Sequence, residues 1–431
     1  MNAWFVWVLL AFQLALVPYL LLLLVAAIAA ILARQRSLPA DEPRSRLLVM
    51  IPAHDEESGI AATVASCLAS DYPAELFGVL VIADNCTDQT AAIARTAGAR
   101  VIERSDQTRK SKGYAIESTI AKLVESGEFN GLDALVFVDA DTTIDRDLLR
   151  WFDADLRAGL DWVQCYYTVA NPEQSWRTRL MTYAFALFNG VMPKGLQAIG
   201  ISAGLRGNGM CFSTRGLRRR PWVAYGLVED MEFSWILRLS GESVAFEPAA
   251  RVYGAMLGSG GEAAANQRRR WEFGRKEIRR KYTRQLLRAG RMNPWERLIS
   301  LGEITMPTMG VLVMSYVMLS GLGVAAIAWT WPIASVEQSL LLASMAVMTL
   351  AVSLYAVAPF LAMRLPLRYA GSLVRLPVYL AWKALISIGG RPTAWIRTER
   401  VPQAKMPQPT SEGDSAPGNP AQDEVHAGET A

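Results

Sequence analysis

The chain has 431 residues, 52% of them hydrophobic and 19% charged, with a net charge of +4 and a mean hydropathy of +0.17. A soluble protein of this size fills its core at lower hydrophobicity, so the excess belongs to segments that face lipid. Two histidines leave no room for a histidine-based metal centre, and Cys67, Cys86, Cys165 and Cys211, far apart and without a CxxC pair, read as free thiols rather than disulfides or zinc ligands.

Residues 4–33 carry no charge and are long enough to cross the hydrocarbon as a helix. A cleaved signal peptide would have a shorter apolar core behind a basic segment, and nothing basic precedes Trp4. Arg34, Arg36, Arg44 and Arg46 follow directly, so the positive-inside rule places the next domain, residues 45–290, in the cytoplasm of a multi-pass inner-membrane protein. Within that domain, residues 47–51 read as a buried strand ending at Pro52, and Ser58–Ala69 as a helix with Ser58 at its N-cap. Val79–Ala83, Arg100–Glu103 and Ala134–Val138 are further strands, separated by helices at Ala91–Ala97 and Lys112–Glu125. This alternation predicts an α/β, Rossmann-like domain with a parallel sheet and helices on both faces. Trp162–Thr168 and Val244–Val252 read as strands, Gln174–Val191 and Met231–Leu239 as helices, and the glycine-rich Leu205–Phe212 as a loop.

From Ala263 to Arg288 the pattern is one long helix, and residues 268–291 hold eleven Lys and Arg against two glutamates. Such a run suits nucleic acid or anionic headgroups and a phosphorylated substrate, and the flanking membrane segments favour the second. Residues 301–330 and 338–363 predict two more crossings. Residues 369–390 are apolar but interrupted by Arg375, Pro377 and Lys383, and a crossing there would put Arg391, Arg397 and Arg400 outside, so an interfacial helix is expected rather than a span. The tail from 402 to 431 is rich in Pro, Gly, Ser and acids and reads as disordered.

Ligands of parallel α/β sheets bind beyond the carboxyl ends of the strands. His54, Asp55 and Glu56, then Asp84, then Asp139 and Asp141 all fall there. Asp139-Ala-Asp141 can reach a hard divalent cation that binds diphosphate oxygens, or can merely cap the next helix, a role open to Thr142 and Thr143 instead. Asp84 can accept from the N–H of a uracil ring, while Asp88 or Thr87 serves better as a cap. The imidazole of His54 can stack on a base, Glu56 can bond nucleotide donors, and Lys112 can neutralise phosphate, though alone it reads as a solvated lysine. Glu229-Asp230 opens an amphipathic helix, and either carboxylate can act as general base on an acceptor hydroxyl. Gln267-x-x-Arg270-Trp271 sets Gln267 and Arg270 one turn apart, Arg270 suited to a leaving diphosphate and Trp271 to a sugar face.

In this order the motifs resemble the family 2 inverting glycosyltransferases, most of all the membrane-embedded branch of cellulose, hyaluronan, chitin-oligosaccharide and poly-N-acetylglucosamine synthases. The similarity covers residues 46–285 and the membrane layout around them. It implies a GT-A fold, a UDP-sugar donor, Mg²⁺ or Mn²⁺, and inversion at the anomeric carbon. By that resemblance His54, Glu56, Asp84 and Lys112 bind the nucleotide, Asp139 and Asp141 the diphosphate and metal, and Asp230 is the base. Gln267, Arg270 and Trp271 line the acceptor and pyrophosphate end. His54-Asp55 stand where the family has an aromatic residue and Asn, and Arg206-Gly-Asn208-Gly-Met210 replaces the small-residue acceptor loop of chain-elongating synthases. The leading expectation is elongation of a polysaccharide or oligosaccharide, with an export partner unspecified. Transfer of one sugar to a polyprenol- or ceramide-like lipid, and a non-catalytic membrane scaffold, are the alternatives. No nucleic-acid partner is expected.

Overall fold

The structure is a computed structural model describing residues 3–259, 261–290, 292–330 and 336–387. The chain enters through helix α1 (Ala3–Leu32), whose every side chain is uncharged. It then runs through β1 (Leu47–Ala53), α2 (Ile60–Leu68), β2 (Phe77–Asp84), α3 (Thr90–Thr96), β3 (Arg100–Arg104), α4 (Lys112–Glu125) and β4 (Ala134–Phe137). Next come β5 (Thr142–Ile144), α5 (Leu148–Arg157), β6 (Trp162–Val169), α6 (Trp176–Phe185), a π-helical stretch Ala186–Val191, α7 (Met192–Ala198), β7 (Met210–Ser213), α8 (Thr214–Arg219), α9 (Glu229–Leu239) and β8 (Ala245–Gly254). The last elements are α10 (Glu262–Leu287), α11 (Pro294–Thr305), α12 (Met309–Thr330), α13 (Val336–Ala362), a 3-10 segment Leu367–Arg375 and α14 (Leu376–Ser387).

The strands form one sheet in the order β3-β2-β1-β4-β7-β6-β8-β5. β3, β2, β1 and β4 are mutually parallel, β7 lies antiparallel to both β4 and β6, β8 runs parallel to β6, and β5 closes the edge antiparallel to β8. The sheet is therefore mixed, because only the first half of the chain keeps the strand-helix alternation that forces parallel pairing. Along β1 the period of two is plain: Leu47, Val49, Ile51 and Ala53 enter one apolar layer while Leu48 and Met50 enter the other. A strand buried on both faces needs apolar residues at every position, and β1 has them until Pro52. Two local expectations are corrected. Helix α2 starts after Gly59 with no side-chain cap, so Ser58 does not cap it. Thr142 and Thr143 pair in strand β5 rather than capping α5.

Three helices, Trp4–Leu32, Met309–Trp329 and Val336–Ala362, are long and apolar enough to cross a membrane. The continuous crossing expected over 301–330 is divided. Pro307 has no N–H to give and drives Met306 to an extended ψ of 128°, so α11 stops at Thr305 and α12 begins at Met309. α11 carries Glu303, which pairs at 2.6 Å with the buried Arg238, while its Ile299 packs among the residues of α1, so it bridges the sheet domain and the apolar helices. The segment expected at 369–390 is described through Ser387 as a 3-10 segment, Leu367–Arg375, followed by α14. Residues 388–390, the basic positions 391, 397 and 400, and the tail from 402 lie outside the described residues.

These long apolar helices are joined by polar and close contacts. Gln13, fully buried, donates to the carbonyl of Leu319 and accepts from the Ser344 hydroxyl, which links α1, α12 and α13. A Cβ on Gly195 would lie 2.1 Å from the carbonyl oxygen of Ala26, so only glycine lets α7 meet α1 this closely. Arg36, just past α1, reaches Asp155 at 2.5 Å and Glu247 at 3.1 Å, tying the membrane end of the chain to α5 and β8.

Burial and the neighbouring Asp155 push the Glu247 carboxyl up to about 7, against the opposing Ala249 N–H and Arg36. A raised folded pKa means the folded state holds the proton more tightly, so this group stabilises less as pH climbs from its unfolded value toward 7. In Glu247→Gln that loss disappears. The difference in thermal midpoint, variant minus wild type, is expected to be more positive at pH 8 than at pH 5; a pH-independent difference contradicts the assignment.

Candidate active site

The carboxyl ends of β1 and β2 form one edge of the site. Asp55 and Asn85, directly after these strands, hold φ of 54° and 53°, a left-handed geometry that Asp and Asn tolerate better than most residues. Their side chains fasten the turns: Asp55 Oδ1 accepts from the backbone N–H of Thr87 at 2.6 Å, and Asn85 Oδ1 from that of Asp106 at 2.8 Å. His54 contacts the carbonyl of Asp84 through Nδ1 at 2.7 Å, so its ring is oriented by the strand beside it. The backbone N–H of Glu56 donates to Thr90 Oγ1 at 2.8 Å. Asp84 is no cap; the N–H of Thr90 is taken by Asp88. Instead Asp84 Oδ1 receives Arg104 at 2.6 Å and Asn85 Nδ2 at 3.0 Å, which leaves Oδ2 of this buried carboxylate facing other donors.

The centre is built around Lys112. Its ammonium lies 2.5 Å from Asp139 Oδ1, 2.8 Å from the carbonyl of Gly207 and 3.6 Å from Glu229 Oε1. Burial would pull its pKa down, but Asp139 and Glu229 overcome this and hold it above the ordinary value. Lys112 is thus a counter-charge, not the solvated lysine it resembles in isolation. Two features put it there. Ser111 caps α4 by accepting from the N–H of Tyr114, and Gly113 lets the helix touch the loop at Ala224, whose carbonyl oxygen would be 2.1 Å from any Cβ.

Asp139-Ala-Asp141 is positioned by Asn208, a fully buried residue of the glycine-rich loop. Its Oδ1 accepts from the Asp139 N–H at 3.1 Å, and its Nδ2 donates at 2.7 Å to Thr142 Oγ1, which in turn contacts Asp141 Oδ1 at 3.3 Å. Gln164 donates to the Asn208 carbonyl at 2.7 Å and accepts from the Arg206 N–H. The flanking glycines are obligatory: Gly207 has φ of 84° with Asp230 Oδ2 at 2.9 Å from a built Cβ, and Gly209 has φ of 65° with Cys165 Sγ at 2.0 Å. This stretch, read from sequence as a departure in the acceptor loop, is the floor that carries both acidic pairs.

Glu229 and Asp230 begin α9, where the helix N-terminus favours anions. Burial raises both carboxyls; Lys112 opposes this at each, joined by Arg270 at Glu229 and by Arg206 at Asp230, while Asp139 raises Asp230 further. Arg270 therefore reaches the same centre from α10. Its Nε is buried without a hydrogen-bond partner, an arrangement suited to an arriving anion. Trp271 packs partly buried between the layer of Val228 and Trp235 and that of Met181 and Phe185, with the Arg268 guanidinium 4.8 Å from its ring. Gln267 sits half-buried one turn before it on α10.

Lys112, Asp139, Glu229, Asp230 and Arg270 thus meet in one place. Asp84, His54 and Glu56 lie on the neighbouring strand ends, and Trp271 on the α10 side. Sequence reasoning missed Arg104, Asn208 and Gln164; only the glycines around Asn208 marked that loop as special. Asp139 and Asp141 offer oxygen donors from a strand end, a set that suits a hard divalent cation completing its shell with water and phosphate oxygens. Among the described residues the tightest three-residue cluster of potential ligands is elsewhere, at Asp55, Cys86 and Asp88. Those carboxylates are occupied by the N–H groups of Thr87 and Thr90, and burial raises the Cys86 thiol, so they fasten a turn.

A sequence profile described as "Glycosyltransferase like family 2" matches residues 43–274, more than half of the chain. Beta-monoglucosyldiacylglycerol synthase of Synechocystis sp. is 26% identical over 207 residues, 46% of this chain and 41% of that protein. 4,4'-Diaponeurosporenoate glycosyltransferase of Staphylococcus aureus is 32% identical over 126 residues, 28% of this chain and 32% of that protein. The chain thus aligns with less than half the length of these curated relatives. The solved structure of mannosyltransferase PcManGT from Pyrobaculum calidifontis, in complex with GDP-Man and Mn²⁺, superposes with a TM-score of 0.51 at 16% identity, covering 88% of this chain and 99% of that one. That likeness is one of fold.

Lys112→Met removes the cation shared by Asp139 and Glu229. Leaving these half-buried carboxylates without their cation is expected to lower stability by about 1–2 kcal/mol, less than for a fully buried pair. Thermal unfolding of the purified variant reads this; an unchanged midpoint would mean the ammonium is not the counter-charge of the site.

Proposed function

This chain belongs to glycosyltransferase like family 2, and on that premise we propose that it transfers a hexose from a UDP-sugar to an acceptor hydroxyl at the cytoplasmic face of a membrane, with inversion. The observation that carries the reading is the convergence of Lys112, Asp139, Glu229, Asp230 and Arg270 at the strand ends of the sheet. Asp84 Oδ2 and the His54 ring hold the base, with Glu56 at the same edge. Asp139 and Asp141 hold Mg²⁺ or Mn²⁺, which supplies neutralisation of the diphosphate when bound. Lys112 and Arg270 stabilise the charge that grows on the departing diphosphate. The acceptor oxygen attacks the anomeric carbon from the face opposite the diphosphate, the carbon–oxygen bond to phosphate breaks, and the acceptor proton passes to Asp230. A carboxylate whose pKa is raised by burial is the better proton acceptor. Gln267 and Trp271 line the acceptor side.

A lipid acceptor is favoured over the growing polysaccharide that the synthase resemblance suggests. Both curated relatives are named for transfer to lipids, a diacylglycerol derivative and an apolar carboxylate. Elongation of a glycan is the second reading. A non-catalytic scaffold gains nothing from keeping five ionisable groups together in one half-buried centre.

Membranes containing the protein, incubated with radiolabelled UDP- and GDP-sugars and divalent ions, are expected to yield one labelled lipid with a UDP-sugar; a ladder of oligosaccharides supports elongation instead. No label from any donor would sink the proposal. Asp230→Asn is expected to cut turnover about a hundredfold or more while leaving UDP binding intact. Asp141→Ala is expected to weaken UDP binding in Mn²⁺, and calorimetry giving wild-type affinity would contradict the metal role.

A further inference from the structure

A second cavity, of about 220 Å³, lies between α6, the turn at Gly258 and Ser259, and α14. Its defining residue is Arg177. This side chain is 5% exposed, and among the described residues it makes neither a hydrogen bond nor an ion pair; its buried Nε has no partner. The guanidinium lies 4.1 Å from the Trp382 ring centroid and 5.6 Å from that of Tyr379. Contact with the Trp382 face holds the fork in place, with Tyr379 beside it, and leaves its edge donors unspent. Arg268 lies 5.9 Å from the Tyr379 ring and Arg375 5.9 Å from the ring of Trp176, both rings lining the cavity.

Among the described residues no carboxylate answers this charge. Glu173, on the neighbouring turn, is bound by Arg179 and Arg368, and Glu272 by Lys383. A buried guanidinium without an anion is an unfavourable state unless a ligand brings the anion. Three arginines around one small cavity, with no opposing acid, call for negative oxygen atoms.

The surroundings say where that anion comes from. The 3-10 segment starts five residues beyond the end of the spanning helix α13, and it leads directly into α14. Leu367, Val374 and Val378 are 75%, 80% and 58% exposed, and Val378 also lines the cavity. Exposed aliphatic side chains beside Trp, Tyr and Arg are the composition of a surface at the headgroup level of a bilayer. We propose that this cavity binds the anionic headgroup of a bilayer lipid, its acidic oxygens on the Arg177 fork and its chains along the apolar face of the 3-10 segment and α14. The site is separate from the donor centre and does not depend on the transfer reading. Arg268 stacks on both Tyr379 and Trp271, so the two sites are one side chain apart.

The test uses the full chain in neutral detergent, with thermal unfolding followed as lipid is added. Dioleoyl phosphatidic acid is expected to raise the midpoint saturably, and phosphatidylcholine is not. Arg177→Met is expected to melt at or above the wild-type midpoint without lipid, since an uncompensated cation is gone, and to need about tenfold more phosphatidic acid for the same rise. Trp382→Ala, which keeps the cation but frees it, is expected to weaken the lipid response as well and serves if Arg177→Met does not fold. UDP with Mn²⁺ is the internal control: its own stabilisation should persist in both variants, and its absence from wild type would count against the transferase reading alone. The lipid site is overturned if Arg177→Met and Trp382→Ala respond to phosphatidic acid as wild type does. It is equally overturned if inorganic phosphate or an oligosaccharide gives the Arg177-dependent rise in place of the lipid.

Discussion

One ammonium group organises the centre of this molecule. Lys112 stands within ion-pair distance of Asp139 and Glu229, with Asp230 close by, in a half-buried centre at the carboxyl edge of the sheet. Carboxylates so close together cannot share a low-dielectric space without a cation, because their mutual repulsion and their desolvation act in the same direction. β4, α4, the Gly207 loop and α9 are therefore constrained to meet. The tight glycines follow from this: Gly113, Gly207 and Gly209 each sit where a side chain would push one of these elements off the ammonium.

Much of the parallel half of the domain was legible because strand periodicity places its acids. β1, β2 and β4 are unbroken apolar runs, and the residue that ends each run must leave the sheet at its carboxyl edge. Asp84 and Asp139 follow from that rule alone. The role of Lys112 did not, since its carboxylate partners are 27 and 117 residues away in sequence and nothing local marks the pairing. Arg104 and Asn208 were invisible for the same reason: each acts through a contact between segments, and an isolated arginine or asparagine carries no period. The antiparallel half of the sheet was illegible as topology, because β7 is four residues long and pairs with strands far apart in the chain. The division of 301–330 into α11 and α12 was within reach, since Pro307 stood in the apolar run and its effect on the preceding residue is general.

The sheet domain is not joined to the long apolar helices by loose linkers alone. Arg36 anchors the exit of α1 to two buried carboxylates, Glu303 on α11 pairs with Arg238 on α9, and Lys383 on α14 pairs with Glu272 on α10. Each bond joins a segment flanking the long apolar helices with an element of the sheet domain. The basic helix α10 occupies the middle of this arrangement. Arg270 faces the acidic centre, Trp271 the apolar layers, and Arg268 the aromatic residues of α14.

The contact of Gly195 with Ala26 has a mechanical meaning. The backbone of α7 rests directly on that of α1, and α7 is in turn bonded to β8 through Gln197, which donates to the Phe246 carbonyl and accepts from the Phe246 N–H. At that contact no side chain can change rotamer to absorb sliding. A tilt of α1 is therefore passed on, through α7, as a displacement of the sheet's β8 edge.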